Sequence, residues 1–204
     1  MTDLGERYEE HHRERRDEGD FVFVPERIPL FVAAIGRGKR VLDLGCRSGA
    51  LTKHFLEGNS VVGLDVDAAA LEKAAALGIE PVQANVEEPL PFKNASFDAV
   101  VAGEFFEHLQ FPDALVAEIR RVLRPGGLLV GSVPNAFRVQ SRLRFVRGRP
   151  PEDDPTHLRM FSPNAMHDLL GGFERVQLSY VGGRYARLHA RLLARDLVFS
   201  AVRG

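Results

Sequence analysis

Short apolar runs rich in valine and leucine alternate along this chain with longer segments whose apolar positions fall three and four residues apart. Runs at 40–44, 60–64, 80–84, 97–102 and 127–133 have the length and composition of strands, and helical spacing recurs around 50–57, 68–77 and 113–124. The alternation predicts βαβ units, and runs apolar at nearly every position predict strands covered on both faces of a parallel sheet. Segment 113–124 carries the clearest stripe, formed by Leu115, Val116, Ile119, Val122 and Leu123. Arg120, Arg121 and Arg124 sit at its C-terminal end, where the helix dipole favours cations, and Pro125, Gly126 and Gly127 stop it.

After the fifth strand the simple alternation ends. Arg138, Arg142, Arg144, Arg147 and Arg149 have no acid among them, and Val139, Leu143 and Val146 fall on the opposite side of a candidate helix. The run from Pro151 through Asp153, Asp154 and Pro155 to His157 follows. Residues 135–160 therefore read as an insertion, the expected lid or substrate-facing segment. Beyond it, 162–170 opens with a Ser-Pro helix entry, 173–181 reads as a strand, 184–194 has helical spacing and 196–203 closes as a strand.

Composition narrows the picture. A chain of 204 residues, 45% hydrophobic, has the size of one domain with a substantial core. We expect a helical cap over 1–37, a core over 38–134, a lid over 135–172 and final strands over 173–204. Charge is balanced, with 27 basic and 28 acidic residues, so no global field draws the chain to nucleic acid or anionic membrane. No stable nucleic acid complex is expected. The single cysteine, Cys46, excludes an internal disulfide and a thiolate-cluster metal site. No apolar run approaches the roughly 20 residues of a membrane span, and the charged N-terminus lacks the pattern of a secretory signal, so a cytoplasmic location is expected. His11 and His12 lie among alternating acids and bases, the pattern of a solvated helix.

The candidate chemistry begins at Val41–Thr52, "VLDLGCRSGALT". A strand runs into Gly45 and Gly49, the place where an open parallel sheet holds its ligand. A dinucleotide fingerprint needs three glycines as G-x-G-x-x-G so that backbone can approach a pyrophosphate; here Cys46, Arg47 and Ser48 separate two. Asp43 would repel pyrophosphate but suits an ammonium group. Asp65 ends the second strand at the spacing where an acid accepts from ribose hydroxyls. An acid for an amine and an acid for a ribose together describe S-adenosylmethionine. A nicotinamide-dependent oxidoreductase is disfavoured by the failed fingerprint.

Residues 38–134 resemble the class I, Rossmann-like S-adenosylmethionine-dependent methyltransferases. "VLDLGCRSGALT" resembles their glycine-rich motif, "VVGLDVD" at 61–67 their acidic second-strand motif, and "PLPFKNASFDAVVAGEFFEHL" at 89–109 their fourth-strand segment. "EIRRVLRPGGLLVGSVPN" at 118–135 resembles the following helix, turn and fifth strand, and "THLRMFSPNAMHDLL" a segment common in small-molecule members. The resemblance implies an α/β, doubly wound, mostly parallel seven-stranded sheet with an antiparallel last strand, order 3-2-1-4-5-7-6, and helices on both faces. It implies that Asp43 orients the methionine ammonium, that Gly45, Cys46 and Gly49 admit the methionyl part, and that Asp65 takes the ribose. Val66 would line the adenine, Asn85 and Val86 would lie beside its amino group, and Gly103 and Glu104 would border the methyl. Arg47 replaces a middle glycine; the expectation is an ordinary backbone conformation with the side chain pointing outward.

His108, after the fourth strand, and His157, in the expected lid, are the candidate catalytic residues on the acceptor side. The acceptor is expected to be a small molecule, the arginines admitting an anionic one, with oxygen favoured over nitrogen or carbon. The alternative function is cofactor binding without catalysis. Cys46 reads as a small buried residue, not a nucleophile.

Overall fold

The protein is described by a computed structural model that covers residues 24–151, 154 and 156–204. The expected N-terminal cap lies outside these for residues 1–23, as do His11, His12 and Asp153.

Seven strands form one sheet: β1 (Arg40–Leu44), β2 (Ser60–Asp65), β3 (Glu80–Gln83), β4 (Phe97–Gly103), β5 (Leu123–Pro134), β6 (Glu174–Val181) and β7 (Asp196–Val202). Their order is β3-β2-β1-β4-β5-β7-β6, with β7 antiparallel to both neighbours and the other pairs parallel. This is the predicted topology.

Side-chain alternation along each strand explains why both faces are covered. Val41, Val61, Ala99, Val101 and Val130 pack on one face with Phe31 and Ile35 of α1 (Ile28–Ile35), Phe55 of α2 (Lys53–Leu56), and Leu71 and Ala74 of α3 (Ala68–Ala76). Leu42, Leu44, Val62, Leu64, Val100 and Leu129 pack on the other with Leu115, Ile119 and Val122 of α4 (Pro112–Val122). A strand with apolar residues at every position satisfies both layers, which is the physical content of the valine- and leucine-rich runs.

Three expected boundaries shift. The helix expected at 50–57 is only α2, because the preceding turn closes through three-residue bonds, His54 N–H to Leu51 O (3.2 Å) and Phe55 N–H to Thr52 O (3.1 Å). The segment 184–194 contains only α7 (Ala190–Leu193); before it, Ala186 N–H bonds to Gly183 O (3.1 Å) and Leu188 N–H to Tyr185 O (3.0 Å), again as turns. Leu123 joins β5 opposite Phe97, and the Arg124–Gly127 turn is a bulge in the strand, pinned by Gly126 N–H to Arg203 O (2.8 Å).

The arginine-rich segment forms α5 (Val139–Val146), followed by α6 (Pro163–Leu169), whose N-terminus is capped by the Ser162 hydroxyl. The apolar side of α5 does not pack on the core as its pattern suggested: Leu143 is 47% and Val146 82% exposed, and of this helix only Ser141 is buried. Among the described residues, no helix is long and apolar enough to cross a membrane.

Candidate functional site

The turn after β1 is built from alternating left-handed residues: Gly45 has φ 68°, Arg47 φ 49° and Gly49 φ 82°. Gly45 is fixed twice over, because a Cβ there would meet the Phe105 ring at 2.5 Å. A Cβ on Gly49 would meet Ile79 at 2.6 Å. Arg47 thus does not keep the ordinary conformation expected of it; it adopts the conformation of the glycine it replaces, at a cost of about 1–2 kcal/mol. That conformation aims its N–H at Asp65 Oδ2 (2.9 Å). Its side chain is half-buried, and its charge opposes the rise in the Asp65 pKa, so it does not point wholly away from the site.

Asp65 ends β2 with one oxygen on Arg47 N–H and the other on Asp67 N–H (2.9 Å). Burial raises its pKa and these two hydrogen bonds pull it down. Each carboxylate oxygen keeps acceptor capacity beyond these bonds, as a ribose ligand requires. Asp43 is 2% exposed, and the Thr52 hydroxyl donates to its Oδ2 at 2.5 Å. Burial pushes Asp43 up to about 7, the Thr52 bond opposing and Asp65 adding to the rise. Thr52 was missed in the sequence; its only signal is a hydroxyl nine positions after Asp43.

Cys46 is buried with its thiol raised well above the usual range by burial, then by Asp43 and Asp65, so it is inert, and it fills the space left by Gly63. Val66 O accepts from the Gln83 amide (3.0 Å), fixing the strand end beside Asp65. Asn85 accepts from Glu87 N–H through Oδ1 (3.0 Å), which leaves that oxygen one further lone pair, and the half-buried Val86 packs on the core next to it.

Gly103 closes β4, and Glu104 follows in a left-handed conformation, φ 53°. A buried polar cluster that sequence reasoning missed holds it there. Arg27 lies 3.0 Å from Glu104 Oε1 and 3.1 Å from Asp196 Oδ2, and donates to Ser132 Oγ (3.2 Å); Ser132 in turn donates to Glu104 Oε1 (2.9 Å). Burial, then the neighbouring Glu104, pushes Asp196 up to about 8 against the pull of Arg27. Arg27 lies between Pro25 and Pro29 in a segment without periodicity, so nothing in the sequence pointed to it.

His108 and His157 come together. The short 3-10 turn Phe106–His108 follows β4, and the segment ending in Arg159 docks on it: Leu158 N–H and Arg159 N–H both bond to Glu107 O (2.8 and 3.0 Å). Arg159 also donates to Leu109 O (3.2 Å) and Gln110 O (2.5 Å). The two imidazoles meet edge to face, centroids 4.8 Å apart, and His108 Nδ1 lies 3.2 Å from Thr156 O. Glu107, 1% exposed, completes the group and was not singled out in the sequence. Of the arginines of α5 and its flanks, Arg142 and Arg144 bond to Phe137 O (2.8 Å) and Pro150 O (2.9 Å), and the charge of Arg138 helps to oppose the rise in the Asp196 pKa.

Comparisons with known proteins agree with this geometry. The family described as methyltransferase domain matches residues 42–131. A ubiquinone biosynthesis O-methyltransferase of Nitrosococcus oceani is 34% identical over 136 residues, 61% of this chain and 58% of that protein. A "Probable S-adenosylmethionine-dependent methyltransferase" of Mycolicibacterium smegmatis is 34% identical over 142 residues, 67% of this chain and 52% of that protein. The chain thus spans little more than half the length of these relatives. Among solved structures, a SAM-dependent methyltransferase of Thermotoga maritima, described as a possible histamine N-methyltransferase, superposes over the whole of both chains with a TM-score of 0.74 at 17% identity, which shows a shared fold. Residues 42–131 thus carry a methyltransferase domain, and in its sheet order, glycine turn and strand-end acids the chain is similar to the class I, Rossmann-like S-adenosylmethionine-dependent methyltransferases.

Proposed function

We propose that this protein binds S-adenosylmethionine across the C-terminal ends of β1, β2 and β4 and transfers its methyl group to an oxygen of a small-molecule acceptor. The observation that carries the reading is the alternating left-handed turn at 45–49 set against Asp65, since it presents backbone and a carboxylate where a nucleoside with an amino-acid tail needs them. In this reading Asp43 faces the methionyl ammonium, Gly45, Cys46 and Gly49 the methionyl chain, Asp65 the ribose, Val66, Asn85 and Val86 the adenine, and Gly103 and Glu104 the methyl. Support for an oxygen acceptor comes from relatives named as O-methyltransferases.

Bound S-adenosylmethionine supplies an activated methyl group. The chain's task is then to place the acceptor oxygen in line with it, and positioning of this kind is worth roughly 7–11 kcal/mol of barrier. The Arg27–Ser132–Glu104 cluster makes the end of β4 rigid for that purpose. The lid, 135–172, covers the acceptor, and His157 and His108 stand on the acceptor side. A second reading, cofactor binding without catalysis, draws on the strained Arg47.

Calorimetry with S-adenosylmethionine, S-adenosylhomocysteine and NAD, followed by methyl transfer to a panel of hydroxylated metabolites, tests both. Binding of the two sulfur ligands but not NAD, with transfer to a hydroxyl, is the expected result. Tight binding of NAD alone would defeat the proposal, and cofactor binding without turnover on any acceptor would favour the second reading.

A further inference from the structure

The balanced charge of the whole chain hides an uneven distribution. Two segments, residues 136–151 and 182–195, together hold nine of the 27 basic residues, all of them arginine, and neither contains an aspartate or glutamate. They lie side by side: α5 of the first touches α7 of the second, and Asn135, which leads into α5, donates from its side-chain amide to Arg191 O and Ala194 O (both 3.1 Å). We propose that this face docks the protein on an anionic phospholipid bilayer, its arginines pairing with lipid phosphates and its protruding apolar side chains entering the hydrocarbon boundary. The docking does not rest on the methyltransferase reading.

Apolar exposure is concentrated on the same face. Of the twelve large apolar side chains that are exposed among the described residues, six lie in these two segments: Phe137, Leu143, Phe145, Val146, Tyr185 and Leu188. Val146 (82%), Leu188 (79%) and Phe145 (70%) are the three most exposed of all. Side chains this far out of the surface gain little from the protein's own core, and a cluster of them marks an interaction site.

Charge and apolar surface are interleaved there, not segregated. Along α5, Arg142 lies three and four residues before Phe145 and Val146, so a cation and two protruding apolar groups share one side of the helix. The backbone contact of Arg142 uses Nε and leaves its two terminal nitrogens for phosphate. In the second segment Tyr185 and Leu188 stand among Arg184, Arg187 and Arg191, all exposed. Such a mixture suits a membrane interface, where apolar groups dip below the phosphates while guanidinium forks bind them.

The two components together select the occupant. Nucleic acid would pair with the arginines but leave Val146 and Leu188 in water, since aliphatic groups do not stack on bases as aromatic ones do. An acidic protein would need pockets cut to the six side chains, whereas a bilayer accepts them in any arrangement. A neutral membrane would take the apolar groups and leave the arginines without anions; an anionic one uses both. All 28 acidic residues lie outside the two segments and outnumber the bases that remain there, so an anionic surface repels the rest of the molecule and orients this face toward itself.

The test is co-sedimentation of the full chain with vesicles of phosphatidylcholine alone and of phosphatidylcholine with one third phosphatidylglycerol. Binding to the anionic vesicles is expected to be at least about tenfold tighter than to the neutral ones and to weaken with added salt. Arg147→Glu/Arg187→Glu should reduce it at least about tenfold and Phe145→Ser/Leu188→Ser at least about threefold. Lys73→Glu/Lys93→Glu, the same change of net charge elsewhere on the exposed surface, should leave it unchanged. The unfolding midpoint certifies each variant; should the apolar pair shift it, Leu188→Ser alone decides. Equal binding to both vesicles, no binding, or equal loss in the lysine variant overturns the docking face. So does duplex DNA bound as tightly as the anionic vesicles with no effect of the apolar substitutions, which would assign the arginines to nucleic acid. S-adenosylhomocysteine affinity of the unmutated chain is a separate readout: its absence overturns the methyltransferase reading and leaves the vesicle result as it stands.

Discussion

At the proposed cofactor end, three alternate residues of one short turn hold positive φ, and the polar partners come from that turn and from the ends of two adjacent strands. At the proposed acceptor end, His108 reaches Thr156, 48 positions away, and contact is made by a segment with no regular structure of its own. The first half is fixed by backbone conformation and the second by docking. A site of the first kind tolerates almost no change in its glycines, because their conformation and the groups packed against them are both fixed. A site of the second kind is free in its backbone and depends on a few long-range bonds.

Two glycines with nearly the same φ separate the two regimes. Gly45 (φ 68°) has the Phe105 ring where a Cβ would stand, whereas Gly148 (φ 69°), after α5, has nothing within 4 Å. Gly45→Ala should therefore destabilise by about 2–4 kcal/mol, strain and overlap together, and Gly148→Ala by about 1 kcal/mol. Denaturant unfolding of both variants checks this, and equal losses would erase the distinction.

His157→Ala should separate the halves functionally. Turnover is expected to fall at least about tenfold once an acceptor is in hand, with S-adenosylhomocysteine affinity nearly constant. Parallel loss of cofactor affinity would show that the docked segment supports the fold as a whole.

Protonation gives a comparable but reversible effect. Asp43 carries a pKa raised from 3.8 to about 7, so the folded chain binds more protons than the unfolded one between those values. Its contribution to stability is therefore present below about pH 4 and is lost as pH rises through about 7, and Asp196, pushed up to about 8, acts in the same direction. A ligand ammonium favours the ionised form. S-adenosylhomocysteine should bind up to about tenfold more tightly at pH 8 than at pH 6, and Asp43→Asn should flatten the profile. A flat profile in the unmutated chain would mean that Asp43 does not face the ammonium.

The smallest effect concerns Arg47. Arg47→Gly relieves about 1–2 kcal/mol of backbone strain while freeing the unfolded chain, so the two changes largely offset. Cofactor affinity should stay within a few fold; a large gain on calorimetry would show that the arginine obstructs the site.

The same contrast governs what could be read from the sequence. Strands at 40–44, 60–64 and 97–102 were legible because a strand buried on both faces must be apolar throughout. Asp43, Gly45, Gly49 and Asp65 were legible because local backbone demands fix their spacing. The strand order came from the family resemblance, since pairing is non-local. Glu107 and Arg27 were not legible: a buried charge looks like any surface charge until its distant partners are known. Helical spacing alone did not tell what the apolar side of α5 meets: Leu143 and Val146 have that spacing and stay exposed.

The most direct test is titration of S-adenosylhomocysteine into the unmutated chain and into Asp65→Ala. Two charge-assisted hydrogen bonds to the ribose are removed in the variant, which should weaken binding by at least about 1.5 kcal/mol, more than tenfold, with one ligand bound per unmutated chain. Equal affinity in the two proteins, or no binding to the unmutated one, would contradict the placement of the nucleoside at the end of β2.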